Sequence, residues 1–152
     1  MGLQIHVVSA DYNPDSDDEM IWYEDIGPYG WYSTFREHLV CAIQGERAGD
    51  RYEDTVEKVL FRMLTGEAKR AKIDAGTAHP DYTDADGVTL NLFIKHCDCD
   101  GEFTHEQCKK LFAFFTKFKN AKMDKDAKKT YNKFLKGFKK ASEREGARML
   151  YS

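Results

Sequence analysis

The sequence predicts an α+β fold, a mostly helical single domain with a small sheet formed by the N- and C-terminal strands. Three observations lead there. Leu3-Gln4-Ile5-His6-Val7-Val8 alternates and is partly β-branched, as a half-buried strand is. Ala147-Arg148-Met149-Leu150-Tyr151 is short and apolar enough to pair with it and tie the two ends of the chain together. Most of the sequence between them places apolar residues at helical spacing. A chain of 152 residues, 41% hydrophobic and 13% aromatic, can bury one sizeable core and is too apolar to stay disordered.

Taken in order, residues 11–18 form an acidic loop carrying Pro14. Met20-Ile21-Trp22-Tyr23 reads as a second short strand, broken by Gly27-Pro28 and Gly30. Ser33 or Thr34 is placed to cap a helix whose inner face carries Phe35, Leu39 and Ile43, with Val40 and Cys41 alongside. Gly45 and Gly49 mark its end. Residues 52–65 form an amphipathic helix with Tyr52, Val56, Val59, Leu60, Met63 and Leu64 on one stripe. Residues 71–86 are a polar connection, and Asp86 can cap a short helix through Val88, Leu90, Phe93 and Ile94. Thr104 followed by Gln107 is a capping box. Cys108, Leu111, Phe112, Phe115 and Phe118 then share a face. A last helix starts near Asp126 and turns Tyr131, Phe134, Leu135, Phe138 and Ala141 inward, with Gly146 placed to end it in the left-handed conformation.

No apolar run approaches the roughly 18 residues of a membrane span, and the N-terminus lacks a charged region followed by a long apolar one. A soluble, cytoplasmic protein is expected. Of four cysteines, Cys97 and Cys99 are too close for a secreted disulfide framework and Cys41 sits in an apolar helix pattern, so free thiols are expected. The net charge of -3 hides an asymmetry: residues 1–108 hold 9 Lys/Arg against 22 Asp/Glu, and residues 109–152 hold 14 against 4. Either the two halves complement each other within the fold, or one charged surface faces or imitates nucleic acid.

The stretch richest in chemistry is His96–Gln107, for which three readings compete. In a calcium reading, Gly101 is the sixth position of an EF-hand-like loop, with Asp98, Asp100, the Glu102 carbonyl and Thr104 as ligands. His96 and Gln107 stand where that loop carries its first and last carboxylates, which removes much of the charge needed to hold a hard dication. In a zinc reading, Cys97, Cys99, His105 and Cys108 form the cage, although the first pair is separated by one residue instead of two to four. In the third reading the segment is a structural corner. Asp98 and Asp100 bond nearby amides, Gly101 takes positive φ, Thr104 caps the next helix, and His96 complements the dipole at the end of the preceding one. The corner needs no ligand and is preferred.

The segment His96-Cys97-Asp98-Cys99-Asp100-Gly101-Glu102-Phe103 resembles the His-Ser-Asp-Cys-Asp-Gly-Glu-Ile loop of a family of small uncharacterised proteins from bacteria and their phages. Tyr32-Ser33-Thr34-Phe35 is similar to a Tyr-Ser-x-Phe-x-x-Arg signature near the start of those proteins, with His38 where the signature's Arg would fall. The likeness reaches the closing helix and terminal strand, about half of the chain. It implies a phage or bacterial source and carries no activity.

Elsewhere, His79-Pro80-Asp81 is similar to the tripeptide of co-chaperone J-domains but lacks the basic helices that flank it there. No Gly-rich phosphate loop, nucleophile elbow or His-Glu-x-x-His element is present. Trp22, Tyr29 and Trp31 belong to an aromatic cluster that either packs on the core or binds a partner. Lys129, Lys133, Lys136 and Lys140 lie on a basic helix face, either solvated or touching nucleic acid. The expected function is therefore a non-enzymatic interaction protein, phage-encoded and directed at a host component. The alternatives are a metal-binding module holding calcium or zinc in the central loop, and a nucleic-acid-binding or nucleic-acid-mimicking protein.

Overall fold

A computed structural model describes residues 2–16, 19–48, 85–96 and 101–152, with side chains described outside 44–48. The order of elements is β1 (Gly2–Val8), β2 (Trp22–Pro28), α1 (Tyr29–Ala48), α2 (Ala85–Ile94), β3 (Gly101–Phe103), α3 (His105–Lys117), α4 (Lys125–Glu143) and β4 (Arg148–Tyr151). The α+β expectation holds. The sheet is antiparallel with strand order β2-β1-β4-β3. As the sequence predicts, β1 pairs with β4, in the register Ile5 to Tyr151, His6 to Leu150 and Val7 to Met149. Gln4 and Ser152 exchange backbone bonds at 2.9 and 3.0 Å just beyond it.

Alternation gives the sheet two unlike faces. Leu3, Ile5, Val7, Phe103, Met149 and Tyr151 are buried beneath the helices, whereas Gln4, His6, Tyr23, Asp25 and Leu150 turn the other way and keep solvent exposure. Helix α4 packs tightly on the sheet at Gly137, where an added Cβ would come within 2.6 Å of the Met149 methyl and 2.9 Å of the Trp22 ring. At the centre Phe93 is enclosed by Tyr32, Phe35, Phe103, Phe115, Phe134 and Phe138, with ring centroids 5.0–6.3 Å away. Many of these pairs meet edge to face, the arrangement the ring quadrupoles favour.

Several boundaries differ from the sequence reading. Strand β2 starts two residues later than Met20 and runs through Gly27 and Pro28, where the sequence predicts a break. Proline costs nothing there because β2 is an edge strand, and Gly27, at φ 120, absorbs the register shift opposite Leu3 and Gln4. Helix α1 consequently begins at Tyr29, ahead of Ser33 and Thr34, and Thr34 Oγ1 donates to the Gly30 carbonyl at 3.0 Å instead of capping. Gly45 lies within α1. Asp86 sits in the first turn of α2 and takes a bond from Lys117, and Val88 points to solvent, 61% exposed. The inner face of α3 includes Phe114, while Phe112 is half-buried on its flank. Helix α4 is capped by Asp124, whose Oδ2 accepts from the amides of Asp126 and Ala127, so it starts slightly before Asp126. The strand β3 was not foreseen. The 52–65 helix, most of the 71–86 connection, His79-Pro80-Asp81 and Gly49 lie outside the described residues.

Candidate functional site

The central corner is visible on both of its shoulders, His96 and Gly101–Gln107. Helix α2 closes with the His96 amide donating to the Phe93 carbonyl at 3.2 Å. The His96 ring lies 3.9 Å from that of Phe103 and 4.4 Å from that of Tyr151. His96 Nε2 donates to the Glu102 carbonyl at 3.0 Å, since a carbonyl only accepts. Gly101 has φ 148, and a Cβ on it would stand 3.0 Å from His96 Cε1. Only glycine satisfies both the backbone angle and the ring beside it. One turn on, Thr104 Oγ1 accepts from the Gln107 amide at 3.3 Å and Gln107 Oε1 accepts from the Thr104 amide at 3.0 Å, the capping box read from the sequence.

Two of the four oxygens in the calcium reading lie among the described residues, and each accepts one hydrogen bond while keeping a second lone pair. The Glu102 carbonyl is taken by His96, its carboxylate by Arg148 at 2.7 Å, and the Thr104 hydroxyl by the helix end. Of the zinc set, His105 Nδ1 donates to the Ala147 carbonyl at 3.1 Å. Cys108 is buried in the core with its thiol toward the Phe103 carbonyl at 3.6 Å. Cys97, Asp98, Cys99 and Asp100 lie outside the described residues. Among the described residues, no three His, Cys, Asp or Glu side chains are gathered where they could hold an ion.

The groups whose acidity is clearly displaced all move toward their neutral form, and burial is the leading cause in each. The Cys41 and Cys108 thiols are pushed up to about 12, with Glu37 and Glu102 adding repulsion respectively. The phenols of Tyr131 and Tyr151 are also raised. Tyr131 donates to the Phe115 carbonyl at 2.5 Å, and Tyr151 meets the Tyr32 hydroxyl at 3.1 Å. Desolvated neutral thiols and phenols are structural groups, because a nucleophile requires a thiolate or a neighbouring base.

The aromatic cluster divides. Trp22, Tyr29 and Trp31 are half-buried against the core, and Trp31 Nε1 donates to Thr130 Oγ1 of α4 at 2.8 Å. Lys136 sits 5.9 Å over the Trp22 ring, and Lys133 donates to the Asp25 carbonyl at 2.7 Å with Glu24 3.8 Å away. These two lysines cover part of the outer edge of β2, a common way of blunting an edge strand. Lys129 and Lys140 have no hydrogen bond or ion pair with a described residue, and Lys129 is exposed.

The open face of the sheet brings Tyr23, a neighbour of Trp22 in the aromatic cluster, together with His6 and Met20. Tyr23, His6 and Leu150 lie side by side across β2, β1 and β4, with Glu102 next in line on β3. Tyr23 is 61% exposed and stacks on His6 with centroids 6.3 Å apart. Met20, 45% exposed, places its sulfur against His6 Nδ1, and Ser152 Oγ meets Nε2 at 2.5 Å. The alternation of Leu3–Val8 already turned His6 away from the core. The pairing with Tyr23 and Met20 needed the register. No described helix is long and apolar enough to cross a membrane. Comparison with known proteins finds no matching family model, curated protein or solved structure.

Proposed function

We infer that the protein is a non-enzymatic interaction module that engages a protein partner through the open face of its sheet. The supporting observation is the position of Met20 and Tyr23. They are two of only three large apolar side chains exposed among the described residues, and His6 joins them into one patch with Leu150 behind it. Rigid aromatic side chains give contact area at low entropic cost. Exposed Glu19 and Asp25 border the patch, so a partner segment carrying apolar and basic residues complements it. The resemblance of the central loop to small phage and bacterial proteins favours a partner from a bacterial host.

Tyr23 and Met20 are better probes than Trp22 or Trp31, whose half-buried rings also support the core. The test is affinity capture from bacterial lysate followed by calorimetry with the purified captured protein. The expected result is stoichiometric binding that weakens at least tenfold in a Met20→Ser/Tyr23→Ala double variant of unchanged thermal midpoint. Undiminished binding by that variant, or the absence of any stoichiometric partner, would overturn the reading.

A further inference from the structure

We propose that the turn between α3 and α4, together with the exposed stripe of α4, binds the phosphate backbone of double-stranded nucleic acid without regard to base sequence. This is independent of the sheet face and rests on a surface depression and on where unpaired charge is gathered. The turn borders a shallow, open depression of about 590 Å³ lined by Lys119, Asn120, Lys122, Met123, Asp124 and Lys128. Lys128 reaches back to the Lys119 carbonyl, and partial burial pulls its ammonium below the ordinary lysine range, so it gains from an anionic neighbour. Lys119 and Lys122, both exposed, form no ion pair with a described residue. The one carboxylate in the depression, Asp124, is turned to the amides that open α4, whose positive end offsets its charge.

Beyond the depression, Lys125, Lys129, Lys136 and Lys140 follow at intervals of four, seven and four residues. That spacing keeps them on one stripe opposite the buried Tyr131, Phe134 and Phe138 and extends it over about 22 Å. Lys125, Lys129 and Lys140 form no ion pair with a described residue and Lys136 has only the Trp22 ring beneath it, so, in a chain whose acids outnumber its bases, these ammonium groups supply what a counterion-releasing surface requires. Tyr131, Phe134 and Phe138 are fully buried, which leaves no aromatic shelf on this stripe for unstacked bases. That favours a duplex read through its backbone.

Fluorescence anisotropy of a labelled 20-base-pair duplex of arbitrary sequence, titrated with the full chain at several salt concentrations, tests this. Five phosphate contacts would give a log–log salt slope of about −4.5, so affinity should fall several hundredfold between 50 and 200 mM salt. A Lys119→Glu/Lys122→Glu/Lys129→Glu variant, shown by circular dichroism to be folded, should lose at least a hundredfold in affinity and about three units of slope. Tyr23→Ala should bind the duplex as wild type does. The proposal is overturned by no duplex binding at 50 mM salt, a slope shallower than −1, tighter binding to a single strand of equal length, or a triple variant that binds unchanged.

Discussion

At the scale of single residues, Gly101 and His6 carry the clearest physical consequences. Gly101 combines φ 148 with a histidine ring where its Cβ would be, so Gly101→Ala should destabilise by about 1–3 kcal/mol. Gly30 is the control: it is helical and an added Cβ meets nothing within 4 Å, so Gly30→Ala should stabilise by about 0.5 kcal/mol. Urea midpoints of the two variants should therefore move in opposite directions. A Gly101→Ala midpoint equal to wild type would mean the corner is not built as described. His6 makes stability depend on pH. Nδ1 donates to the Met20 thioether and Nε2 accepts from Ser152, which suits a neutral ring. Desolvation lowers its pKa from 6.5, and Asp25 opposes this only in part. The unfolded chain therefore takes up the proton at higher pH than the folded one, and stability present above pH 6.5 is lost as pH falls through the folded pKa. Urea midpoints should drop between pH 7.5 and pH 5.5, and drop less in His6→Gln. An identical pH dependence in the variant would show that His6 is not the group responsible.

At the scale of elements, the capping box at the head of α3 is both the most legible local feature and a direct test of the corner. Thr104→Ala removes the acceptor for the Gln107 amide and should cost about 1 kcal/mol, whereas Thr104→Ser, which keeps the oxygen, should cost a few tenths. Equal losses for the two would place the contribution in the methyl group and not in the cap. The box was readable because its two residues lie three apart and bond only to each other's backbone. The same locality made β1, β4 and the inward stripe of α4 readable. What could not be read depends on partners distant in sequence. Gly27-Pro28 looks like a strand break until β1 beside it makes β2 an edge strand that tolerates both residues. Three residues of β3 carry no periodicity and become a strand only because Met149, Leu150 and Tyr151 lie alongside. Val88 matches the apolar pattern of α2 but lies outside, because Leu90, Phe93 and Ile94 fix which face meets α3. The exposed Tyr23–His6–Met20 patch was illegible for a similar reason, since its three members are drawn from β1, β2 and the residue pair before β2.

At the scale of the whole molecule, the strand added last occupies the middle of the sheet. β4 separates β1 from β3, so without it the β2-β1 pair and the single strand β3 cannot form one sheet. Its inward residues are structural. Met149 is fully buried, and Tyr151 packs on Tyr32, Phe103 and Phe134 while its hydroxyl meets that of Tyr32. Burying those two side chains contributes about 3–6 kcal/mol, before the ladder bonds to β1 and β3 are counted. The net stability of a domain is about 5–15 kcal/mol. Deleting residues 148–152 should therefore abolish cooperative unfolding, leaving helical far-ultraviolet dichroism with the near-ultraviolet signal of the packed rings lost. Tyr151→Phe isolates the smaller part. It removes only the hydroxyl pair with Tyr32, so it should cost about 1 kcal/mol with cooperative unfolding retained. Pairing between strands this far apart in sequence also makes closure of the sheet slow relative to the local α3–α4 hairpin. Amide exchange should accordingly protect α3 and α4 earlier in refolding than β1. A truncated chain that still melts cooperatively at the wild-type midpoint would show that the helices alone hold the core, and that β4 rests on it without completing it.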